Sequence, residues 1–311
     1  MKHKINPTVD CVFKAILGTE KNKNLLIHFL NAILEPEEGS HIQQVTILNP
    51  YNEREFIGDK LTIVDVKAID ENGKSYQIEI QLAIHAALEA RILYTWSNIY
   101  QSQIQAGDNY RKLKPVISIW ILDGNLFEKV EECHIPFSLY NPKHKLILTD
   151  HIAIHLLQLP KWQSTKTIAS EKERWLYLFK EGQNVDLDNP PETLNTDEMR
   201  QVMNVLHRFS ENETDYLLYQ SRLDAVLKEN TYLSALEEAL KEKEQAVKEK
   251  EQAVKEKEQQ VAKVKEQAAI EQQLQVAKVK EQAVKEKEQV QKKLNDLMLL
   301  LEKKGIYFDK E

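Results

Sequence analysis

The chain has 311 residues, of which 42% are hydrophobic and 29% charged, with a formal net charge of -7. That is enough for one large globular domain or two smaller ones. No apolar run approaches the length of a bilayer span, and the opening MKHKINPTVD lacks the apolar segment of a signal peptide, so the expectation is a soluble cytoplasmic protein with no membrane partner. Cys11 and Cys133 are isolated in sequence and suit reduced packing better than a disulfide framework or a zinc site. The charge is uneven. From Leu240 onward the chain is slightly positive, so the body before it is the acidic part. An acidic body argues against broad, unspecific coating of nucleic acid. It leaves room for a local basic patch, such as Lys2, His3 and Lys4 or Arg111, Lys112 and Lys114.

The first element is a helix. In PTVDCVFKAILG the apolar Val9, Val12, Phe13 and Ile16 recur at helical spacing, with Leu17 beside them and Gly18 as C-cap. A second helix covers about Asn22 to Leu34 and stops before Pro36. Three strands follow, roughly Ile42 to Leu48, Leu61 to Ile69 and Ser75 to Ile84. A helix from Ala86 to Ala106 ends at Gly107, and VISIWIL, Val116 to Leu122, reads as a buried strand. The three strands can form an antiparallel meander, and the long helix allows a crossover to the fourth. From Pro142 to Asn230 the chain reads as mainly helical, with amphipathic runs at EKERWLYLFKEG and DEMRQVMNVLHRFS.

The tail repeats every seven residues, as in VKEKEQA. Leu240, Val247, Val254 and Val261 share one position, but Lys243, Lys250 and Lys257 occupy the place where a second apolar row would stand. Pairs such as Glu244 with Lys248 support an isolated helix. A solvated helix and a weak oligomerisation coil both fit, and LNDLMLLLEKKG restores an apolar stripe near the end. Four segments are expected: 1–140 as a sheet core, 141–239 as a helical extension, 240–293 as the heptad helix, and 294–311 as an apolar terminal helix.

In QIEIQL, apolar Ile78, Ile80 and Leu82 alternate with Gln77, Glu79 and Gln81. The bland account is a strand with a solvated face. The register of the preceding hairpin decides what else it can be. A two-residue loop would set Asp65 opposite Ile80. A three-residue loop, Glu71-Asn72-Gly73, would pair Asp70 with Lys74, Lys67 with Gln77 and Asp65 with Glu79. Gly73 stands where the left-handed residue of such a loop is needed, which favours the second register. Asp65 and Glu79 would then be cross-strand neighbours about 5 Å apart at Cβ, with Lys67 and Gln81 on the same face. Two carboxylates this close repel unless a cation or a proton lies between them. Mg²⁺ is the natural cation for such oxygens, and it can activate water and stabilise charge on a phosphodiester.

The stretch GDKLTIVDVKAIDENGKSYQIEIQL resembles the motif region of PD-(D/E)XK nucleases. More narrowly, it resembles the Rpn family of recombination-promoting nucleases, also called PD-(D/E)XK family transposases. NPTVDCVFKAILG and RILYTWSNIYQSQIQAGDNYRKLKPVISIWIL add to the resemblance, which spans about residues 5 to 230. It implies an α/β restriction-endonuclease-like core and a Mg²⁺-dependent DNA endonuclease, with Mn²⁺ able to substitute, that promotes recombination. Asp65 and Glu79 match the metal-binding carboxylates. Gln81 stands where the superfamily name puts lysine, and an amide cannot give positive charge to a phosphate. Lys67, on the same face, is a candidate for that charge. Asp10 matches an acidic position of the first helix, and Arg91 and Gln101 lie on the helix that borders nucleic acid. Arg111 and Lys112 complete the nucleic-acid candidates. For Arg91 and Gln101 a solvated helix face is the plain alternative, and Tyr94, Trp96 and Tyr100 read as core. His85, His151 and His155 lack partners at ligand spacing, and there is no P-loop. The competing account is a non-catalytic descendant that binds DNA or protein, or an assembly module that self-associates through its tail.

Overall fold

The computed structural model of the chain describes residues 3–48, 65–84, 87–163 and 168–303. The chain divides into two compact units, Met1–Ala235 and Leu236–Glu311. The first unit opens with helices α1 (Asp10–Leu17) and α2 (Lys23–Leu34). Strands β1 (Val45–Ile47), β2 (Val66–Asp70) and β3 (Ser75–Gln81) follow, then α3 (Leu88–Gln101) and β4 (Val116–Leu122). Next come β5 (His134–Ser138), the short β6 (Tyr140–Asn141) and β7 (Leu146–Ile147), and β8 (Ile152–Gln158). Helices α4 (Glu171–Glu181) and α5 (Asp197–Glu211) lead into α6, Glu213–Lys303.

Six strands form one sheet in the order β1-β2-β3-β4-β8-β5. The first three are an antiparallel meander, β3, β4 and β8 run parallel, and β5 returns antiparallel to β8. Helix α3 makes the crossover from β3 to β4, as a parallel pair requires. The stretch after residue 142 is not mainly helical at its start, because β8 pairs along its whole length with β4. Its Ile152, Ile154 and Leu156 alternate as a strand's apolar face does. Helix α3 also ends at Gln101, short of the expected Ala106. The expected strand positions 61–64 lie outside the described residues.

Two apolar cores sandwich the sheet. The larger takes the buried face of α1 (Val12, Phe13, Ile16 and Leu17) and packs it with α2, α4 and α5 on Tyr76, Ile78 and Ile80. The smaller joins Leu88 and Ile92 of α3 to Trp120, Leu122, Ile154 and Leu156. Gln77, Glu79 and Gln81 pair with Ser118, Trp120 and Leu122, so they share the face that α3 covers. Every residue of β3 is therefore buried, and the solvated-face account of QIEIQL is overturned.

Candidate active site

The β2–β3 hairpin has the three-residue loop. Lys67 pairs with Gln77 and Val66 with Ile78, a register that sets Asp65, at the head of β2, opposite Glu79. Asp70, the last residue of β2, fixes the loop that follows it. Its Oδ1 accepts from the backbone N–H groups of Asn72 (2.8 Å) and Lys74 (2.9 Å), and its Oδ2 accepts from the Tyr76 hydroxyl (2.8 Å). Gly73 takes φ of +82°, the left-handed conformation that a side chain would strain.

Asp65 is held at both oxygens. Its Oδ2 accepts from the backbone N–H of Ile80 at 2.9 Å, and its Oδ1 lies 3.1 Å from Lys14 Nζ on α1. Gly18 lets α1 come this close. A Cβ there would meet the Lys14 carbonyl oxygen at 2.9 Å and Val66 Cγ2 at 3.3 Å. Asp10, one turn before Lys14, keeps its Oδ2 4.0 Å from Lys14 Nζ and 3.8 Å from Arg222 Nε on α6.

Glu79 is 3% exposed. Burial pushes its carboxyl well above the ordinary carboxylate range, and the neighbouring Asp65 pushes the same way. The Gln77 amide, Arg91 and Lys14 pull it partly back. A relay orients that amide. Trp120 Nε1 donates to Ser118 Oγ (2.8 Å), Ser118 Oγ donates to Gln77 Oε1 (3.2 Å), and Gln77 Nε2 is left to donate to Glu79 Oε1 (3.2 Å). Gln81 is tied at both ends. Its Nε2 donates to the Ala83 carbonyl (2.7 Å), and its Oε1 accepts from Arg91 Nη1 (3.1 Å), whose guanidinium lies over the Trp120 ring. A cleft of about 270 Å³ opens beside Gln81, walled by Asp10, Arg91, Arg222 and Glu229.

The structure thus gathers Asp65, Glu79, Gln81, Arg91 and Asp10. Lys67 shares their face, one pair further from Asp65. Gln101 is about 15 Å along α3 from Arg91. Arg111 and Lys112 precede β4, at the Ser75 end of β3, about 20 Å of strand from Gln81. Lys112 is paired there with Asp108. Trp96 is half-buried and stacks on Tyr100, but Tyr94 is exposed rather than core. His155 and His134 share a hydrogen bond of 2.9 Å, and burial lowers both. His151 meets the Tyr100 hydroxyl at 2.9 Å, and His85 lies outside the described residues. Sequence reasoning missed Lys14, the Ser118–Trp120 relay and Arg222. Glu79 and Gln81 were candidates from the sequence, but the burial of the row and the role of Gln77 in it were not.

Among the described residues, no group of three or more His, Cys, Asp and Glu gathers as a metal site. Asp65 and Glu79 still suit one kind of ion. Mg²⁺ commonly takes one or two carboxylates and fills its other places with waters and substrate phosphates. A buried carboxyl raised by its neighbour is also the group that a cation would return to the ionised form.

An antiparallel meander, a crossover helix and a parallel fourth strand, with the carboxylates on the central hairpin, define an α/β fold of the PD-(D/E)XK class. The chain belongs to the PD-(D/E)XK nuclease family transposases, whose family model matches residues 7–236. No curated protein and no solved structure matches it. Membership supports a nuclease-like function. Among the described residues, no helix is long and apolar enough to cross a membrane.

Proposed function

We propose that the chain is a divalent-metal-dependent DNA endonuclease that hydrolyses phosphodiester bonds and thereby promotes recombination in the cytoplasm. The observation that carries this reading is the placing of Asp65 opposite the buried Glu79 on one face of the β2–β3 hairpin. Asp65 and Glu79 would hold Mg²⁺ or Mn²⁺. When bound, the ion would supply an activated water and charge stabilisation at the scissile phosphate.

The rest falls to this chain's own side chains. The Gln77 amide orients Glu79, and the Ile80 N–H fixes Asp65. Gln81 and Lys67 position water or phosphate, and Asp10 supports the site through its contacts with Lys14 and Arg222. Arg91 and Arg222 line a cleft suited to a neighbouring phosphate, while Gln101, Arg111 and Lys112 are candidates for more distant backbone contacts. The test is incubation of plasmid DNA with the chain and Mg²⁺ or Mn²⁺. Nicking should appear with the native chain and vanish with Asp65→Ala, and nicking by that variant at the native rate would sink the site. Lys67→Ala with full metal-dependent cleavage would remove Lys67 from it.

A second reading, a non-catalytic module that binds DNA or protein, is favoured by one observation. Without a metal, Asp65 already has Lys14 and Ile80, and both ends of the Gln81 amide are bonded. Any homo-oligomer would run through the tail, where the apolar Leu294, Leu297, Met298 and Leu300 are exposed. Sedimentation with and without residues 240–311 tests it, and an unchanged mass class on truncation counts against it.

A further inference from the structure

We propose that Lys14, on α1, supplies the positive charge that Gln81 lacks. It neutralises Asp65 while the site holds no metal, and it holds a phosphate oxygen of DNA when the site is loaded. The inference rests on the nuclease reading above and adds a residue to it.

A phosphodiester-cleaving site needs a cation beside the reacting phosphate, because negative charge grows on the phosphate oxygens as water attacks. Gln81 cannot give it. Its amide is neutral, its Nε2 is spent on the Ala83 carbonyl, and it faces Arg91 through its oxygen. Lys67 shares the face and pairs with Gln77, two residues along β2 from Asp65. Lys14 touches the carboxylate side of the site directly, with Nζ 3.1 Å from Asp65 Oδ1.

The placement of Lys14 is built into the fold. The apolar face of α1 is locked into the larger core by Val12, Phe13, Ile16 and Leu17, so Lys14 and Asp10 are left on the face turned to the site. Gly18 allows the end of that helix to close on Val66, the residue after Asp65. The Lys14 side chain is 37% exposed against 13% for Asp65, so the ammonium stands at the mouth of the site, where an incoming phosphate would arrive. A lysine is a compact point charge on a flexible stem, and it can move from carboxylate to phosphate without rebuilding α1.

The experiment compares the full-length native chain with Lys14→Met and with Lys14→Met/Gln81→Lys. Mn²⁺ affinity is read by calorimetry, and plasmid cleavage is read in Mn²⁺. Lys14→Met should bind Mn²⁺ at least as tightly as the native chain, because a competing cation is gone, yet cleave about 100-fold more slowly. Gln81→Lys should restore part of that rate. Cleavage by Lys14→Met at the native rate overturns the proposal. So does a fall of Mn²⁺ affinity together with the rate, since Lys14 would then only hold Asp65 in place. A double variant no faster than Lys14→Met overturns it too. If the native chain neither binds Mn²⁺ nor cleaves, the nuclease reading itself falls, an outcome distinct from a loss confined to the Lys14 variants.

Discussion

Strand β3 and the far part of α6 invert each other. In β3 the polar residues Gln77, Glu79 and Gln81 are inside, under α3. Among the described residues from Leu236 onward, the apolar residues of the heptad repeat are outside. Val247, Val254, Val261 and Ile270 are each about half exposed on a helix whose charged residues pair along its own surface, as Glu244 does with Lys248 and Glu281 with Lys285. The difference shows what burial depends on. A polar row goes inside where a second layer brings partners for it, and an apolar row stays outside where the described residues bring no layer to cover it. On the proposed function the buried row would carry the chemistry, because a carboxylate kept from water next to another carboxylate is a place that a cation would stabilise.

That contrast predicts effects of very different size. The largest is chemical. Asp65→Ala should reduce metal-dependent plasmid cleavage to background while leaving the fold intact by circular dichroism. Next comes the relay. Gln77→Ala removes the donor to Glu79 and the acceptor for Ser118 in the buried interior, and should cost about 1–3 kcal/mol in urea unfolding. Gly18→Ala should cost a similar amount, about 1–3 kcal/mol, because its Cβ would push α1 off Val66. A loss below a few tenths in either variant would contradict the packing described.

A subtler effect is the pH dependence of the metal-free chain. Burial and Asp65 raise the pKa of Glu79 in the folded state above its ordinary value of 4.5. Folding therefore favours the protonated form. The stability this contributes is fully present below the unfolded value and is lost as pH rises through the raised folded one. Thermal melts should show the native chain losing stability over that range relative to Glu79→Gln, and parallel curves would refute the assignment. The smallest effect belongs to the tail. Val254→Gln should change the unfolding free energy of a single chain by no more than about 0.5 kcal/mol, as for exposed positions generally. A large loss, seen by the same denaturation, would mean that the exposed stripe has a partner.

Some of this was legible from residues alone. The loop Glu71-Asn72-Gly73 and the demand for a left-handed residue at Gly73 gave the hairpin register, and through it the pairing of Asp65 with Glu79. VISIWIL gave β4 to the residue. Burial of the polar face was not legible, since alternation looks the same whether water or α3 lies above it. Strand β8 was not legible, because a short apolar run such as HIAIHLLQ fits a strand or a buried helix segment, and only its pairing with β4 decides between them. Lys14 left no signal at all. Nothing in a spacing links positions 14 and 65, and only the closure of α1 on Val66 at Gly18 brings them together.

The central claim is that Asp65 and Glu79 form a cation site, and calorimetric titration of Mn²⁺ into the native chain and into Glu79→Gln tests it most directly. The account predicts one binding event in the native chain, tightening as pH rises and Glu79 loses its proton, and none in the variant. Equal binding by the two proteins, or no dependence on pH, would contradict it.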